Sequence, residues 1–479
     1  MTTASRAAAR DTRAAGAAAR ITSARFVIAG ATLVTVLTRL IDLTGASFTG
    51  DEASNVSVVS GGIQQYLRAA ALDHHPPLWY AFLGAWTALL GPGDLAARSS
   101  SVLAGGLFVP VIAAVAWRMF GPVEAAWAAA VATAWPLLAQ EQREVRMYAW
   151  LALAVAVALF TLLRAGERRR PRDWALAGLA LAGLAAVHHF GALAAFALAV
   201  AALFVWRGSG PLMATSVAAV AYLPVLLVVA QTSTASLPLG HNDLSLGEYV
   251  LVLDGVLLGR LHVDRALVVM GAIAFLPALV AGGARAARWL PFLVAIVVMN
   301  AIAPIVLTRT LIDWQLGPDL LTPLVPFAIL LVARFVTSPA AVLARPYAAL
   351  LLGIAVVATT QVLRSEPYYG TDWRALASSV QLRTSDESAI YVAPDYHVAA
   401  LRRYYRGPLP ISGVPGGNGA LIRGGFAGTV PTRDDLGAVV AAGRPVWLIL
   451  DDPVAELLPE RGWREISRLP GVAAYRAGP

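Results

Sequence analysis

Two adjacent carboxylates, Asp51-Glu52, follow the first long apolar run of the chain, and about twenty residues later comes Asp73-His74-His75-Pro76-Pro77-Leu78-Trp79-Tyr80. A carboxylate can take a proton from a hydroxyl or bind a divalent cation, and a histidine can ligate a metal or hydrogen-bond a phosphate. Ionisable groups at a water–lipid boundary are costly to desolvate, so they are more often functional than decorative. Each also has a plainer reading. An acid here can cap a helix start, His75 before two prolines can be a hydrogen-bonded loop residue, and Trp79-Tyr80 suits the aromatic belt of a membrane interface.

Cationic partners occur further along. Arg98 opens an apolar run as Arg98-Ser99-Ser100-Ser101, and Gln142-Arg143-Glu144-Val145-Arg146-Met147-Tyr148 adds Glu144, Arg146 and Tyr148. The segment 232–265 carries His241, Asn242, Asp243, Asp254, Arg260 and His262, and Arg309, Asp313 and Asp319 flank two later apolar runs. Several arginines facing several acids on one side are what a phosphate-bearing lipid and a hydroxyl acceptor require. Read as neighbours on a helix, Arg146 and Tyr148 point to different faces. Glu144 can pair with Arg143 or Arg146, and Arg98 and Arg309 can be snorkelling anchors at helix ends.

The elements that must position these groups follow from composition. The chain has 479 residues, 58% hydrophobic and only 14% charged, where globular domains carry about 25% charged residues. It is therefore read as a polytopic membrane protein. Without cysteine it has no disulfide or thiolate metal site. Its net charge of +8 comes entirely from arginine, mostly in short loops where arginine sets topology, so nucleic-acid binding is not inferred. Runs long enough to span a bilayer lie near 26–44, 96–118, 122–140, 146–165, 173–187, 189–206, 211–231, 266–284, 288–308, 319–336 and 345–363. The apolar stretch 78–91 is short, and if it spanned, the cluster Arg164, Arg168, Arg169, Arg170 and Arg172 would fall outside. Reading it as interfacial gives about eleven spans (up to thirteen are compatible with the hydropathy), puts loops 45–95 and 232–265 outside, and leaves 1–25 as a disordered cytoplasmic tail around a membrane body of 26–365. From 366 to 479 charge density rises. Buried strands at 389–392 and 446–450, helices at 372–383 and 434–442, and Gly/Pro-rich turns near 407–428 predict a small extracytoplasmic α/β domain. A non-catalytic lipid-linked glycan transporter or an assembly subunit is the alternative class. A transporter tends to show internal repeats and mid-membrane charge, and neither stands out here.

The motif order over residues 45–150 resembles the GT-C superfamily of polyprenyl-phosphate-sugar glycosyltransferases. It is most similar to glycosyltransferase family 39, the protein mannosyltransferase and aminoarabinose transferase group. The resemblance implies an all-α GT-C membrane body with a C-terminal extramembrane α/β domain. It implies transfer of a sugar, with inversion, from a polyprenyl phosphate to a hydroxyl of a glycan, lipid or protein. Asp51 would be the base, supported by Glu52, and Arg98, Arg146 and Arg309 would hold the donor phosphate. His74, His75, Glu144, Tyr148, His241 and Asp243 would contact substrate or a divalent metal ion, with His75 the metal ligand. The family usually has an Arg-Tyr pair at the outer start of a late span, where this chain reads Gly317-Pro318-Asp319-Leu320-Leu321, so Arg309 would replace that contact. The Ala/Arg/Gly-rich, lysine-free composition looks actinobacterial, which implies decaprenyl-phosphate mannose or arabinose as donor and a multi-pass plasma-membrane location with the site facing out.

Overall fold

The computed structural model describes residues 3–62, 76–232, 252, 255–257, 278–284, 286–303, 317–337, 341–364, 371–383, 387–414, 419–423, 426–442, 444–469 and 472–477. The membrane body begins with α1 (Thr3–Leu40), α2 (Gly50–Ser60), α3 (Leu78–Leu90) and α4 (Asp94–Met119). It continues through α5 (Pro122–Thr133), α6 (Pro136–Glu141), α7 (Tyr148–Arg168), α8 (Pro171–Val187), α9 (His189–Val205) and α10 (Ser209–Thr232). Further on come α11 (Leu290–Val297), α12 (Val325–Val336) and α13 (Ala341–Arg364). The stretch expected as a disordered tail is helical from Thr3, because alanine and arginine are both strong helix formers.

Five of the described helices are long and apolar enough to cross a membrane, or six if the pair Ala278–Ala284 and Ala287–Ile302, bent by 90°, counts as one span. The protein is thus an integral membrane protein. The sequence reading counts shorter pieces as spans too, among them α8 and α9 at 17 residues each. It also takes 122–140 as one run, whereas the chain breaks into α5 and α6 at Trp135-Pro136. Proline lacks the N–H that a continuing helix needs. The Trp135 indole leaves the helix path and donates to Val256 O at 2.7 Å.

In α7, 67% of the most apolar window is buried, against 11% in α1 and α10, so α7 is central and those two face lipid. Successive antiparallel helices bring the start of α2, the start of α4, the α6–α7 turn and the α8–α9 junction to one end of the bundle. The opposite end carries Arg118, which is ion-paired with Glu167, and the 168–172 arginine cluster.

Beyond the membrane body, α14 (Trp373–Arg383) leads to β1 (Ile390–Ala393), α15 (Val398–Tyr404), β2 (Ile411–Gly413) and the hairpin β3 (Gly419–Arg423) and β4 (Phe426–Val430). Then follow α16 (Arg433–Ala441), β5 (Val446–Asp451), α17 (Asp452–Ala455), β6 (Trp463–Leu469) and β7 (Val472–Ala477). The main sheet has order β2-β1-β5-β7-β6, with β2, β1 and β5 parallel and the last two strands antiparallel. All six β5 residues are buried, as expected of a strand covered on both faces. Trp447 and Ile449 join the core cluster that continues into the membrane body, while Val446, Leu448 and Leu450 join a separate cluster on the other face.

Candidate active site

The site is assembled at the start of α2. Thr49 caps the helix, accepting from Glu52 N at 3.2 Å, while Glu52 Oε2 accepts from Thr49 N at 3.0 Å. This reciprocal capping box fixes Glu52 in the first turn. Both Glu52 oxygens then meet the Arg98 guanidinium, with Nε to Oε1 at 2.8 Å and Nη2 to Oε2 at 2.7 Å. Oε1 also accepts from Val145 N at 3.0 Å. Arg98 donates further to Leu43 O, Ala46 O and Ser47 O at 2.8–3.0 Å and lies over the Phe48 ring at 5.0 Å. A guanidinium has five N–H donors, and here five acceptors receive them. Arg98 is therefore a buried clamp for the 43–47 loop with no donor left for a phosphate, which corrects its expected role. Glu52, fully buried, is the acid that caps the helix.

The clamp also holds the turn between α6 and α7. Val145 N is bound by Glu52 and Val145 O accepts from Asn55 Nδ2 at 2.9 Å. Glu144 O accepts from Ser101 Oγ at 2.6 Å. With its backbone pinned on both sides, the turn presents Arg146 to Asp51, and the two form an ion pair. The Arg146 side chain is 7% exposed and that of Asp51 23%, so the carboxylate is the more accessible partner. Arg146 Nη2 also donates to Tyr148 OH at 3.3 Å, with the guanidinium 5.0 Å from that ring. The expectation that these two residues diverge fails because α7 starts only at Tyr148, so Arg146 precedes the helix. Glu144 Oε1 accepts from Gln140 Nε2 at 3.3 Å, and Arg143 donates to Ile41 O and Asp42 O. Trp79 and Tyr80 are buried rather than part of an interfacial belt, and Tyr80 OH donates to Asn55 Oδ1 at 3.2 Å.

Two residues join the site that sequence reasoning passed over. His188 lies at the α8–α9 junction, its ring 5.5 Å from that of Tyr148, and its Nδ1 accepts from Phe190 N at 3.1 Å. Burial, with smaller contributions from His189 and Arg146, holds it well below the usual histidine range. Arg39, near the end of α1, is buried and donates to Gln142 Oε1 at 3.1 Å and Thr133 O at 2.7 Å, tethering the α6–α7 turn from below. A lone arginine inside an apolar run and a His-His pair between two others were the available signals.

His74, His75, His241, Asp243, Arg309 and Asp313 lie outside the described residues. Pro318–Leu324 form a 3₁₀ run that includes Asp319. Among the described residues no three His, Asp or Glu side chains converge on a metal position. The Glu52 oxygens already receive four N–H donors, so this carboxylate does not fit a metal site.

The C-terminal domain closes over the same region. Asp94, at the start of α4, accepts from Arg403 Nε at 2.8 Å and Nη2 at 2.6 Å and from Tyr404 OH at 2.8 Å, and pairs with Arg374 at 3.3 Å. Tyr404 OH in turn accepts from Phe48 N at 2.7 Å. Burial and the bond to Asp94 push the Tyr404 hydroxyl up to about 12. Ser47 Oγ accepts from Trp373 N at 3.0 Å.

Residues 74–233, the segment carrying Arg98, Arg146, Tyr148 and His188, match a family model described as dolichyl-phosphate-mannose-protein mannosyltransferase. No curated protein matches the chain. Among solved structures the chain is similar to ArnT from Cupriavidus metallidurans, at TM-score 0.61 and 16% identity in the apo state and 0.59 and 17% bound to undecaprenyl phosphate. Both alignments cover 95% of this chain and 98% of ArnT. It is also similar to the Archaeoglobus fulgidus oligosaccharyltransferase in complex with Zn and sulfate, at TM-score 0.55 and 13% identity, covering 89% of this chain and 68% of that one. A third likeness is to the mycobacterial arabinofuranosyltransferase AftD, at TM-score 0.53 and 15% identity, over 95% of this chain and 40% of that one. The chain thus shares the fold of ArnT over nearly its whole length, and the segment that carries the paired arginine matches the mannosyltransferase family model.

Proposed function

We propose that the chain is an inverting glycosyltransferase that moves a sugar from a polyprenyl-phosphate donor to a hydroxyl of a glycan, lipid or protein acceptor. The observation that carries this is the Asp51–Arg146 ion pair, one carboxylate and one guanidinium held face to face by a turn pinned at Glu144 and Val145. The acceptor oxygen attacks the anomeric carbon on the face opposite the phosphate and gives its proton to Asp51. The bond from that carbon to the phosphate oxygen breaks, and its electron pair leaves on the polyprenyl phosphate. Arg146 meets the charge that develops there. A donor phosphate that takes Arg146 leaves Asp51 without its compensating cation, which makes the carboxylate more basic. Tyr148 keeps the guanidinium oriented, and neutral His188 packs against the Tyr148 ring. The active end and the C-terminal domain face outward across the plasma membrane in this reading, supported by the arginine cluster at the other end. Decaprenyl phosphate is the proposed carrier, with mannose or arabinose as the sugar. The mannosyltransferase description of the matched family and the likeness to an arabinofuranosyltransferase support those two sugars.

The test is purified protein incubated with a panel of radiolabelled polyprenyl-phosphate sugars and membrane extract. Asp51→Asn keeps size and hydrogen bonding while removing the base, so transfer falls by at least ~100-fold with polyprenyl-phosphate binding retained. Transfer at the wild-type rate by this variant sinks the assignment.

A further inference from the structure

A cavity of ≈ 670 Å³ lies between α2 and the C-terminal domain. Its volume falls in the range of small-molecule sites, roughly 300–1,000 Å³. One wall is the hydroxyl-bearing side of α2, with Ser54, Ser57 and Ser60. The other is Asp395 after β1, Arg402 on α15 and Arg406 just beyond it. We infer that this cavity holds the acceptor and selects one that carries an anionic group beside its hydroxyls; the inference rests on the transferase reading above.

Three independent features converge on it. The first is position. Ser54 follows Asp51 by three residues on α2, so the two lie on neighbouring turns with about 5–6 Å between their Cβ atoms. A sugar lodged against Ser54 can thus reach the Asp51 carboxylate with one hydroxyl. The second is topology. β1 pairs with β2 on one side and β5 on the other, so the end of β1 at Asp395 is a point where the strand order reverses. Open α/β sheets bind ligands in that crevice, outside the carboxyl ends of the strands. The third is charge. Arg403, which also lines the cavity, is committed to Asp94. Of the two acids that line the cavity, Asp94 is taken by Arg403, so the exposed Arg402 and Arg406 outnumber the remaining Asp395. The Arg406 side chain makes no hydrogen bond or ion pair among the described residues, and Arg402 donates to Ile411 O. Serine hydroxyls on one wall and two guanidinium groups on the other suit a sugar substituted with carboxylate, phosphate or sulfate.

The experiment uses full-length protein in detergent on an array of anionic glycans and matched neutral glycans. The expected result is retention of anionic glycans over their neutral counterparts, lost by roughly tenfold or more in the Arg402→Gln/Arg406→Gln double variant. Ser57→Trp, which fills the cavity from the α2 side, abolishes retention, and an unchanged melting temperature shows that both proteins are folded. Equal retention of neutral glycans, no retention of any glycan by the wild type, or full retention by the double variant overturns the inference. Competition by phosphatidylglycerol micelles at equal strength assigns the cavity to a lipid headgroup and overturns it as well. Binding of undecaprenyl phosphate is followed on the same samples. Its absence counts against the transferase reading, whereas its presence beside a failed array counts against the acceptor site alone.

Discussion

Replacing Arg98 by alanine separates a structural clamp from a phosphate ligand. The side chain is 5% exposed, and all five of its N–H donors are engaged, two on the carboxylate of Glu52 and three on carbonyls of the 43–47 loop. Removing one partner of a buried ion pair costs about 3–5 kcal/mol, mostly because the remaining charge stays buried and uncompensated. Glu52 keeps two backbone donors, Thr49 N and Val145 N, which lowers that figure. The three abandoned carbonyls raise it again. Arg98→Ala is therefore expected to lose about 3–5 kcal/mol, roughly a hundred- to several-thousandfold in the folded-to-unfolded ratio. Glu52→Met/Arg98→Met removes both charges together and should cost less than the sum of the two single changes. The assay is denaturant unfolding in a fixed detergent, paired with undecaprenyl-phosphate binding to the folded fraction. Expected is a large stability loss, non-additive with the Glu52 change, and unchanged affinity in whatever protein remains folded. A variant of wild-type stability with weakened lipid binding would refute the clamp.

Three further outcomes are expected. Arg146→Ala should lower kcat/KM for the donor by at least ~10-fold, with Arg146→Lys intermediate because it keeps the charge and loses the planar fork; unchanged donor kinetics would release Arg146 from the mechanism. Asp94→Asn with Tyr404→Phe should loosen the C-terminal domain, seen as faster limited proteolysis of that domain. Because Tyr404 is raised to about 12 from 10.0, its share of the docking is complete below about pH 10 and lost as pH climbs through 12, so proteolysis that accelerates from pH 7 to 9 in the wild type contradicts this. His188 is lowered from 6.5, so the unfolded chain binds the extra proton and stability should fall as pH drops below about 6.5; a His188→Asn variant with the same pH slope in its melting temperature would disprove the assignment.

The acidic pair was legible in the sequence, but the division of labour between its two members was not. Neighbours on a helix point about 100° apart, and which cation each one meets depended on Arg98 and Arg146, 46 and 95 residues away. Arg146 of the 142–148 segment was legible too, yet its contact with Tyr148 was missed because the helix start at Tyr148 sits two residues later than a helical reading of the segment assumed. His188 was hidden by its apolar flanks, which made it look like a boundary between two spans. In the C-terminal domain, β1 and β5 stood out as dense apolar runs. β6 alternates with charged residues, and β7 is Val-Ala-Ala-Tyr-Arg-Ala with three alanines, so neither carries much strand propensity. The hairpin β3–β4 fell within a stretch read only as Gly/Pro-rich turns.

The bond from Phe48 N to Tyr404 OH joins residues 356 positions apart, and Ser47 meets Trp373 across 326. At a synthesis rate of about 5–20 residues per second, the ribosome needs roughly 20–70 s to travel from the first to the second. Through that interval the loop leading into α2 lacks its C-terminal partners, and so does Asp94. A chain that stalls or is clipped before residue 371 can insert its helices without ever completing the surroundings of Asp51. The C-terminal domain thus ties completion of the Asp51 surroundings to the synthesis of residues 371–404.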